Sequence, residues 1–99
     1  MFIVAVVFEI HPEHVDAFRS AIRVQSETSL RQESGCHQFD VCYEADPTTS
    51  APPQCFLYEK YTDRAAFDLH LQTDHFADFD KLVAPMLRSK EVRTWVVAE

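Results

Sequence analysis

The segment FLYEKYTDRAAFDLHLQTDHF, residues 56–76, decides how the rest of the chain is arranged. Its first six residues predict a strand whose alternation places Glu59 and Tyr61 on the same face. A carboxylate in the middle of an apolar strand is costly to bury unless a partner group compensates it. Two histidines, His70 and His75, follow on elements that must fold back over this strand. We therefore expect Glu59 to meet one of these imidazoles in a working site.

The first strand predicts how the sheet is covered. Residues 2–10 (FIVAVVFEI) form an apolar run whose length and Val/Ile/Phe content are typical of a strand. The run is apolar on both faces rather than alternating, so it needs cover on both faces. One layer of helices can cover only one of them. The simplest cover for the other is a second copy of the chain, and we expect a homodimer packed sheet against sheet.

The remaining elements complete a single domain over residues 1–99. In order, the pattern predicts a helix from Pro12 to about Gln32, strands at 36–44 and 55–61, helices from Arg64 to Gln72 and from His75 onward, and a last strand at 92–98. With right-handed crossovers, this β-α-β-β-α(α)-β order gives a four-stranded antiparallel sheet with helices on one face. We expect a ferredoxin-like α+β fold whose dimer closes into an α/β barrel.

Two capping signals separate the helices that follow the third strand. Thr62-Asp63 and Thr73-Asp74 each precede a helical pattern. Five residues on one straight helix turn through about 500°, so His70 and His75 would diverge on such a helix. Only a break at Thr73-Asp74 can bring the two rings together.

The first helix and the residue that follows it leave two further expectations. Its apolar stripe, with Phe18 and Ile22, gives way to Gln25 and Ser29 on the same face. These polar groups either mark a helix end that runs out over solvent or line a pocket under the helix. Gly35, the single glycine of the chain, is expected to form a left-handed cap just past the helix.

Composition narrows the function classes. A formal charge of -7 with 9 Lys+Arg argues against nucleic acid or an anionic membrane as partner. The apolar N-terminus lacks a basic start and a small-residue cleavage site, and no apolar run reaches the ~18 residues of a membrane span. Cys36, Cys42 and Cys55 fall in strand-like segments without a Cys-x-x-Cys pair. We expect buried free thiols and a cytoplasmic protein.

Five short motifs are shared with a known family. They are Glu33-Ser34-Gly35-Cys36, Phe39-Asp40-Val41, Tyr58-Glu59-Lys60-Tyr61, Phe67-Asp68-Leu69-His70 and Thr73-Asp74-His75-Phe76. Taken together they resemble the antibiotic biosynthesis monooxygenase-like domains, which are small dimeric ferredoxin-like proteins. The chain is most similar to the branch that includes quinol monooxygenases and the isomerase of the phosphorylated autoinducer-2 signal. It departs from the haem-degrading branch because it contains no asparagine and has His70 where that branch has tryptophan.

The resemblance implies a pocket between the helices and the sheet of each subunit, and activity without flavin or metal in many members. On this basis we expect His70 to act as a base, Glu59 to orient it and His75 to donate to a substrate oxygen. The residues expected to bind the substrate are Tyr61, Phe39, Phe67, Phe76 and Gln25. No His-x-x-x-His or Cys-x-x-Cys spacing supports a metal site. We expect neither a metal nor a cofactor.

Three functions remain open from the sequence. The first is a cofactor-independent monooxygenase acting on a small phenolic, quinol or enolisable metabolite. The second is an isomerase that abstracts a proton next to a carbonyl; a phosphorylated substrate would then need a cation, and Lys60 lies on the opposite strand face from Glu59. The third is a non-catalytic ligand-binding dimer, which a pocket filled by its own side chains would favour.

Overall fold

The computed structural model describes residues 1–98 and contains one antiparallel sheet with three α-helices on one of its faces. The strands are β1 (Phe2–Ile10), β2 (Cys36–Tyr43), β3 (Gln54–Tyr61) and β4 (Leu87–Val96). The helices are α1 (Val15–Gln32), α2 (Arg64–Leu71) and α3 (Asp74–Val83), with short 3-10 turns at Pro12–His14 and Ala84–Met86. The strand order is β2-β3-β1-β4, and every neighbouring pair is antiparallel. The predicted ferredoxin-like fold is confirmed.

The core lies between the helices and the central strands. Alternate residues of β1 and β3 are buried beneath the helices, as the strand pattern predicts. Phe18 and Ile22 of α1 are completely buried, and the Phe18 ring meets the Phe8 ring edge-on at 5.1 Å. Within residues 1–98, the opposite sheet face carries no helix. We call it the bare face; its apolar side chains are Ile3, Ala5, Val7, Phe56, Tyr58 and Trp95.

The strand β4 begins at Leu87, five residues before its predicted start at Val92. Pro85 lies within the preceding 3-10 turn, and the chain enters the strand directly from it. Leu87 already pairs with Ile10 of β1. The prediction was wrong because the intervening residues are polar on both faces. An edge strand that is paired on one side and largely exposed to solvent need not alternate.

Gly35 does not adopt the predicted left-handed conformation, since no glycine has a positive φ. Its small size serves a close approach instead. A Cβ at this position would lie 2.6 Å from the Cβ of Ala66 on α2. The backbone carbonyl of Gly35 also accepts a hydrogen bond from the Thr62 amide at 3.0 Å. The glycine therefore allows the end of α1 to pack tightly against the start of α2.

The cysteine expectation holds for two residues and is wrong for the third. Cys36 and Cys55 are buried free thiols, whereas Cys42 is exposed. In antiparallel pairing, partner residues project from the same face. Cys42 pairs with Phe56 and so projects from the bare face, which the helices do not cover.

Candidate functional site

Glu59 lies at the centre of the sheet, under the helices. It pairs with Val4 on one side and Phe39 on the other, and its side chain is 3% exposed. The Tyr61 hydroxyl, two residues along the same face, donates a hydrogen bond of 2.6 Å to Glu59 Oε1. Burial raises the pKa of Glu59 to about 7, against the lowering effects of the Tyr61 hydrogen bond and of the positive charge on Lys90. This carboxyl group therefore changes protonation near neutral pH.

His70 projects from the last turn of α2 towards the sheet and is 3% exposed. Aromatic rings surround it, with ring centroids 5.2–6.3 Å away; they belong to Phe39, Tyr61, Phe67 and Phe76. Its Nδ1 lies 2.9 and 3.0 Å from the two carboxylate oxygens of Glu33. Because a carboxylate accepts hydrogen bonds, this contact assigns the ring proton to Nδ1. The other nitrogen, Nε2, has no protein hydrogen bond within residues 1–98 and is free to face the cavity described below.

Burial lowers the pKa of His70, and the hydrogen bond to Glu33 opposes part of that change. The imidazole is accordingly neutral at neutral pH. A neutral imidazole with Nδ1–H held by a carboxylate has its Nε2 lone pair available to accept a proton. His70 therefore has the protonation state of a base.

The carboxylate that holds His70 is Glu33, not Glu59 as the sequence predicted. Glu33 is the C-cap residue of α1, and the close packing at Gly35 brings that helix end against α2. Glu33 belongs to one of the motifs quoted above, but 37 residues separate it from His70. The motif identified the turn without showing which groups its side chain would meet, so reasoning from the sequence missed this contact.

His75 contacts the same carboxylate from the first turn of α3. Its Nε2 lies 2.9 Å from Glu33 Oε2, but the approach is off the N–H direction, so the contact is not a well-aligned hydrogen bond. Its Nδ1 lies 3.1 Å from Gln25 Oε1. The break between α2 and α3, where the Thr73 side chain accepts from the Phe76 amide, brings the His70 and His75 rings to 6.0 Å, as predicted.

The site opens into a cavity of about 240 Å³ between the helices and the sheet. Its polar lining consists of Gln25, Glu59, His70 and Lys90. The rest is apolar: Val4, Val6, Phe8, Ile22, Phe39, Leu57, Phe67, Leu71, Phe76, Phe79 and Val92. An apolar cavity with a few convergent polar groups is typical of a small-molecule site. A larger groove of about 650 Å³ between α1 and β2 contains neither Glu59 nor His70, so we place the site in the smaller cavity.

The cavity contains most of the residues that were expected to bind the substrate. Phe39, Phe67, Phe76 and Gln25 line it. Gln25 is 4% exposed, which favours the pocket-lining alternative for the polar end of α1 over the solvent-facing one.

Two predicted site residues lie outside the cavity lining. Tyr61 is fully buried and contacts the site through its hydrogen bond to Glu59 and through its ring, which lies 5.5 Å from that of His70. His75 lines a separate outer groove together with Glu33, Gln72 and Asp74. Direct contact of either residue with a substrate is therefore not supported by their positions.

Two further properties concern metals and membranes. The part of the chain that the structure describes contains no group of three or more His, Cys, Asp or Glu side chains placed to hold a metal ion. Within the same residues, none of the helices has the length and apolar character needed to cross a lipid bilayer.

The fold and the site together define a small ferredoxin-like α+β protein with an aromatic-lined cavity and a buried imidazole–carboxylate pair. The sequence model of the antibiotic biosynthesis monooxygenase family matches residues 1–82, and the chain belongs to that family. A Nitrosomonas europaea protein provisionally assigned as an antibiotic biosynthesis monooxygenase is 26% identical, with a TM-score of 0.90 and all of both chains covered. Rv0793 from Mycobacterium tuberculosis is 25% identical, with a TM-score of 0.86 over 99% of this chain and 95% of that one. Another structure, described as an antibiotic biosynthesis monooxygenase, is 27% identical with a TM-score of 0.83 over all of both chains.

Proposed function

We propose that this protein is a monooxygenase that acts, without a flavin or a metal, on a phenol, a quinol or a related enolisable compound. Membership of the family supports oxygenase chemistry in general. The observation that carries the proposal is that His70 lines an apolar cavity while Glu33 holds its Nδ1, which leaves Nε2 without a protein partner in residues 1–98. That arrangement provides a base in a dry site, where proton transfer starts the reaction.

The proposed reaction begins when His70 Nε2 removes a proton from a substrate O–H or from an acidic C–H beside a carbonyl. The resulting anion passes one electron to dioxygen, and the two radicals combine to form a C–O bond. The peroxide anion takes the proton back from the imidazolium to become a hydroperoxide. Loss of the remaining C–H proton together with hydroxide from the O–O bond gives a carbonyl and water. One oxygen atom enters the product and the other leaves as water.

Glu59 takes a different role in this proposal from the one predicted for it. Its carboxyl group lines the cavity and has a pKa of about 7 because of burial, so its protonated form is well populated at neutral pH. A neutral carboxyl group can donate a hydrogen bond to a developing oxyanion or protonate the departing hydroxide. We assign Glu59 as this donor, Glu33 as the group that orients His70, and Tyr61 as a support for Glu59.

Substrate-dependent oxygen uptake tests the proposal. A quinol whose spontaneous oxidation is slow enough to subtract serves as substrate, and His70→Gln is compared with the unaltered protein. We expect the rate to fall by about 10²- to 10⁴-fold, the usual contribution of a positioned acid or base. His11→Gln, a change remote from the cavity, is the matched control and should keep the full rate. Equal uptake by the His70→Gln protein would exclude His70 as the base.

An isomerase is the second candidate, and one observation favours it. His70 and Glu59 both line the same cavity, so one could remove a proton next to a carbonyl while the other returns one elsewhere. The first step is shared with the oxygenase, but no oxygen is consumed. Product formed under strict anaerobiosis would identify the isomerase. A cavity filled by its own side chains would have favoured the non-catalytic alternative, and the cavity of about 240 Å³ does not provide that support.

We also propose that the protein is a homodimer joined through the bare face. Phe56 and Trp95 on this face are 40% and 49% exposed, and a concave apolar surface with Ile3 and Val7 lies between them. Contiguous apolar surface of this kind marks interaction sites. We expect analytical ultracentrifugation to give twice the chain mass of 11.4 kDa, and Val7→Asp to give single chains. A single-chain mass for the unaltered protein would contradict the proposal.

The cellular setting is part of the same proposal. Cys36, Cys42 and Cys55 are all free thiols. Unpaired cysteines are typical of a reducing compartment, and we therefore place the protein in the cytoplasm. Loss of the thiols to oxidation in the native protein, measured by mass spectrometry after rapid alkylation, would argue against that setting.

A further inference from the structure

One cation, Lys90, lies at the mouth of the cavity. It belongs to the part of β4 that precedes the predicted start of that strand, and it pairs with Phe8 of β1. Its ammonium nitrogen lies 5.7 Å from the centre of the Phe76 ring and 5.9 Å from that of Phe8. The ammonium group therefore lies close to the aromatic wall, while the Lys90 side chain is 32% exposed.

Lys90 and Glu59 reach the same cavity from well-separated positions on the sheet, and the charge on Lys90 acts on the Glu59 carboxyl group. Glu59 pairs with Val4 and Lys90 pairs with Phe8, on opposite sides of β1. Four residues along a strand cover about 13 Å, and two strand spacings add about 9.5 Å across the sheet. The two backbone positions are thus about 16 Å apart. Because both side chains line the cavity, one ligand can contact Lys90 with one group and Glu59 with another.

The partner of Lys90 in the structure is replaceable. Its Nζ lies 3.3 Å from Asp80 Oδ1, and the Asp80 side chain is 55% exposed. An ion pair this exposed is weak because water screens it. An anionic group on a ligand in the cavity could therefore take the place of Asp80 with little loss.

We propose that Lys90 binds an anionic oxygen substituent of the substrate. The substrate class is a planar ring compound with a carboxylate or phosphate at one end and an ionisable hydroxyl or enolisable carbon at the other. The anionic end lies at Lys90, and the reactive end lies beside His70 and Glu59. The opposite orientation would place the substrate anion against the Glu59 carboxyl group, where like charges repel once that group ionises. This inference rests on the proposed function for its reactive end, but the charge recognition is separable from it.

Unreactive probes test the charge recognition without requiring turnover. The probes are 2-naphthoate, 2-naphthyl phosphate and the neutral near-isostere 2-naphthamide, with dissociation constants from isothermal titration calorimetry at pH 7 and low salt. We expect the unaltered protein to bind one of the two anions about 10- to 100-fold more tightly than the amide, the usual effect of a hydrogen bond to a charged group. The anion preferred identifies the substituent as carboxylate or phosphate.

Three variants locate the preference. Lys90→Met should abolish it while binding the amide as before, and Asp80→Asn should strengthen it by releasing Lys90. Lys81→Met, which removes a cation outside the cavity lining, is the control and should change nothing. Near-ultraviolet circular dichroism of each variant establishes that the fold is retained.

The outcomes separate this inference from the proposed function. Equal affinity for anions and amide, absence of binding by all probes, or a preference that survives Lys90→Met would each overturn the role of Lys90. Oxygen uptake with a neutral quinol would leave the proposed function standing in those cases. A preference that depends on Lys90 would support the inference even if no quinol were turned over.

Discussion

Replacement of Glu59 by glutamine tests the electrostatics of the site through stability alone. Glutamine has nearly the same shape, and its amide oxygen can accept the hydrogen bond that the Tyr61 hydroxyl donates to Glu59 Oε1. The substitution therefore removes one ionisation and keeps the packing. Because Glu59 is 3% exposed, the cost of its ionised form falls on the folded state.

The size of the effect follows from the change in pKa. Burial raises the pKa of Glu59 from 4.5 to about 7, so between these values the folded protein binds more protons than the unfolded chain. The free energy of unfolding must then fall as the pH rises through this window. One pKa unit corresponds to about 1.4 kcal/mol, and the full loss is about 3 kcal/mol. About 2 to 3 kcal/mol of it falls between pH 5 and pH 8.

Urea denaturation at a fixed protein concentration measures this loss, since association would otherwise change the apparent stability. The difference in free energy of unfolding between Glu59→Gln and the unaltered protein should shift by about 2 to 3 kcal/mol in favour of the variant from pH 5 to pH 8. Glu27→Gln, at an exposed position on α1, should show no such shift. Parallel pH profiles for the Glu59→Gln and unaltered proteins would refute the reasoning, because they would mean that Glu59 ionises without cost.

Three other outcomes are expected. Glu33→Gln should lower the pKa of His70 further, because the hydrogen bond to Glu33 raises that pKa in the unaltered protein. The same change should slow turnover by about 10- to 100-fold. An NMR titration of the His70 ring measures the first effect, and oxygen uptake measures the second. The pH profile of turnover should be bell-shaped, rising as His70 loses its proton below pH 6.5 and falling as Glu59 loses its proton near pH 7; a plateau to pH 9 would exclude protonated Glu59 as the donor. Gly35→Ala should destabilise the protein by about 1 to 3 kcal/mol, because the added Cβ would lie 2.6 Å from that of Ala66; thermal unfolding measures the loss.

Most helices and strands could be predicted from the sequence because hydrophobic runs and capping residues lie within or next to the elements that they identify. The apolar run of β1 and the capping residues Asp63 and Thr73 each identify an element from adjacent residues, and the structure contains all of them. The predicted start of β4 was wrong because Lys90 and its neighbours are polar on both faces. Hydrophobic periodicity cannot identify a strand in such a segment. For the same reason, Lys90 was not predicted to line the cavity.

The contacts of the site were less predictable because they depend on packing between distant elements. Glu59 was correctly placed on the buried face, since parity along a strand fixes the side on which a residue projects. The alternation of side chains does not determine which group each one contacts. Glu59 accepts a hydrogen bond from Tyr61, two residues away on the same strand. Glu33 reaches His70 only because the end of α1 approaches α2 closely at Gly35.

The structure reverses the usual order of acid and base between Glu59 and His70. In water a glutamate loses its proton at a lower pH than an imidazolium does, so the carboxylate is the base of such a pair and the imidazolium is the acid. Here burial raises the pKa of Glu59 to about 7 and lowers that of His70 below 6.5. At neutral pH the imidazole is thus the group that can accept a proton, and the carboxyl group still has one to donate. Both oxygenation and isomerisation would use this pair of functions in one apolar cavity, so the reversed order characterises the site whichever reaction takes place.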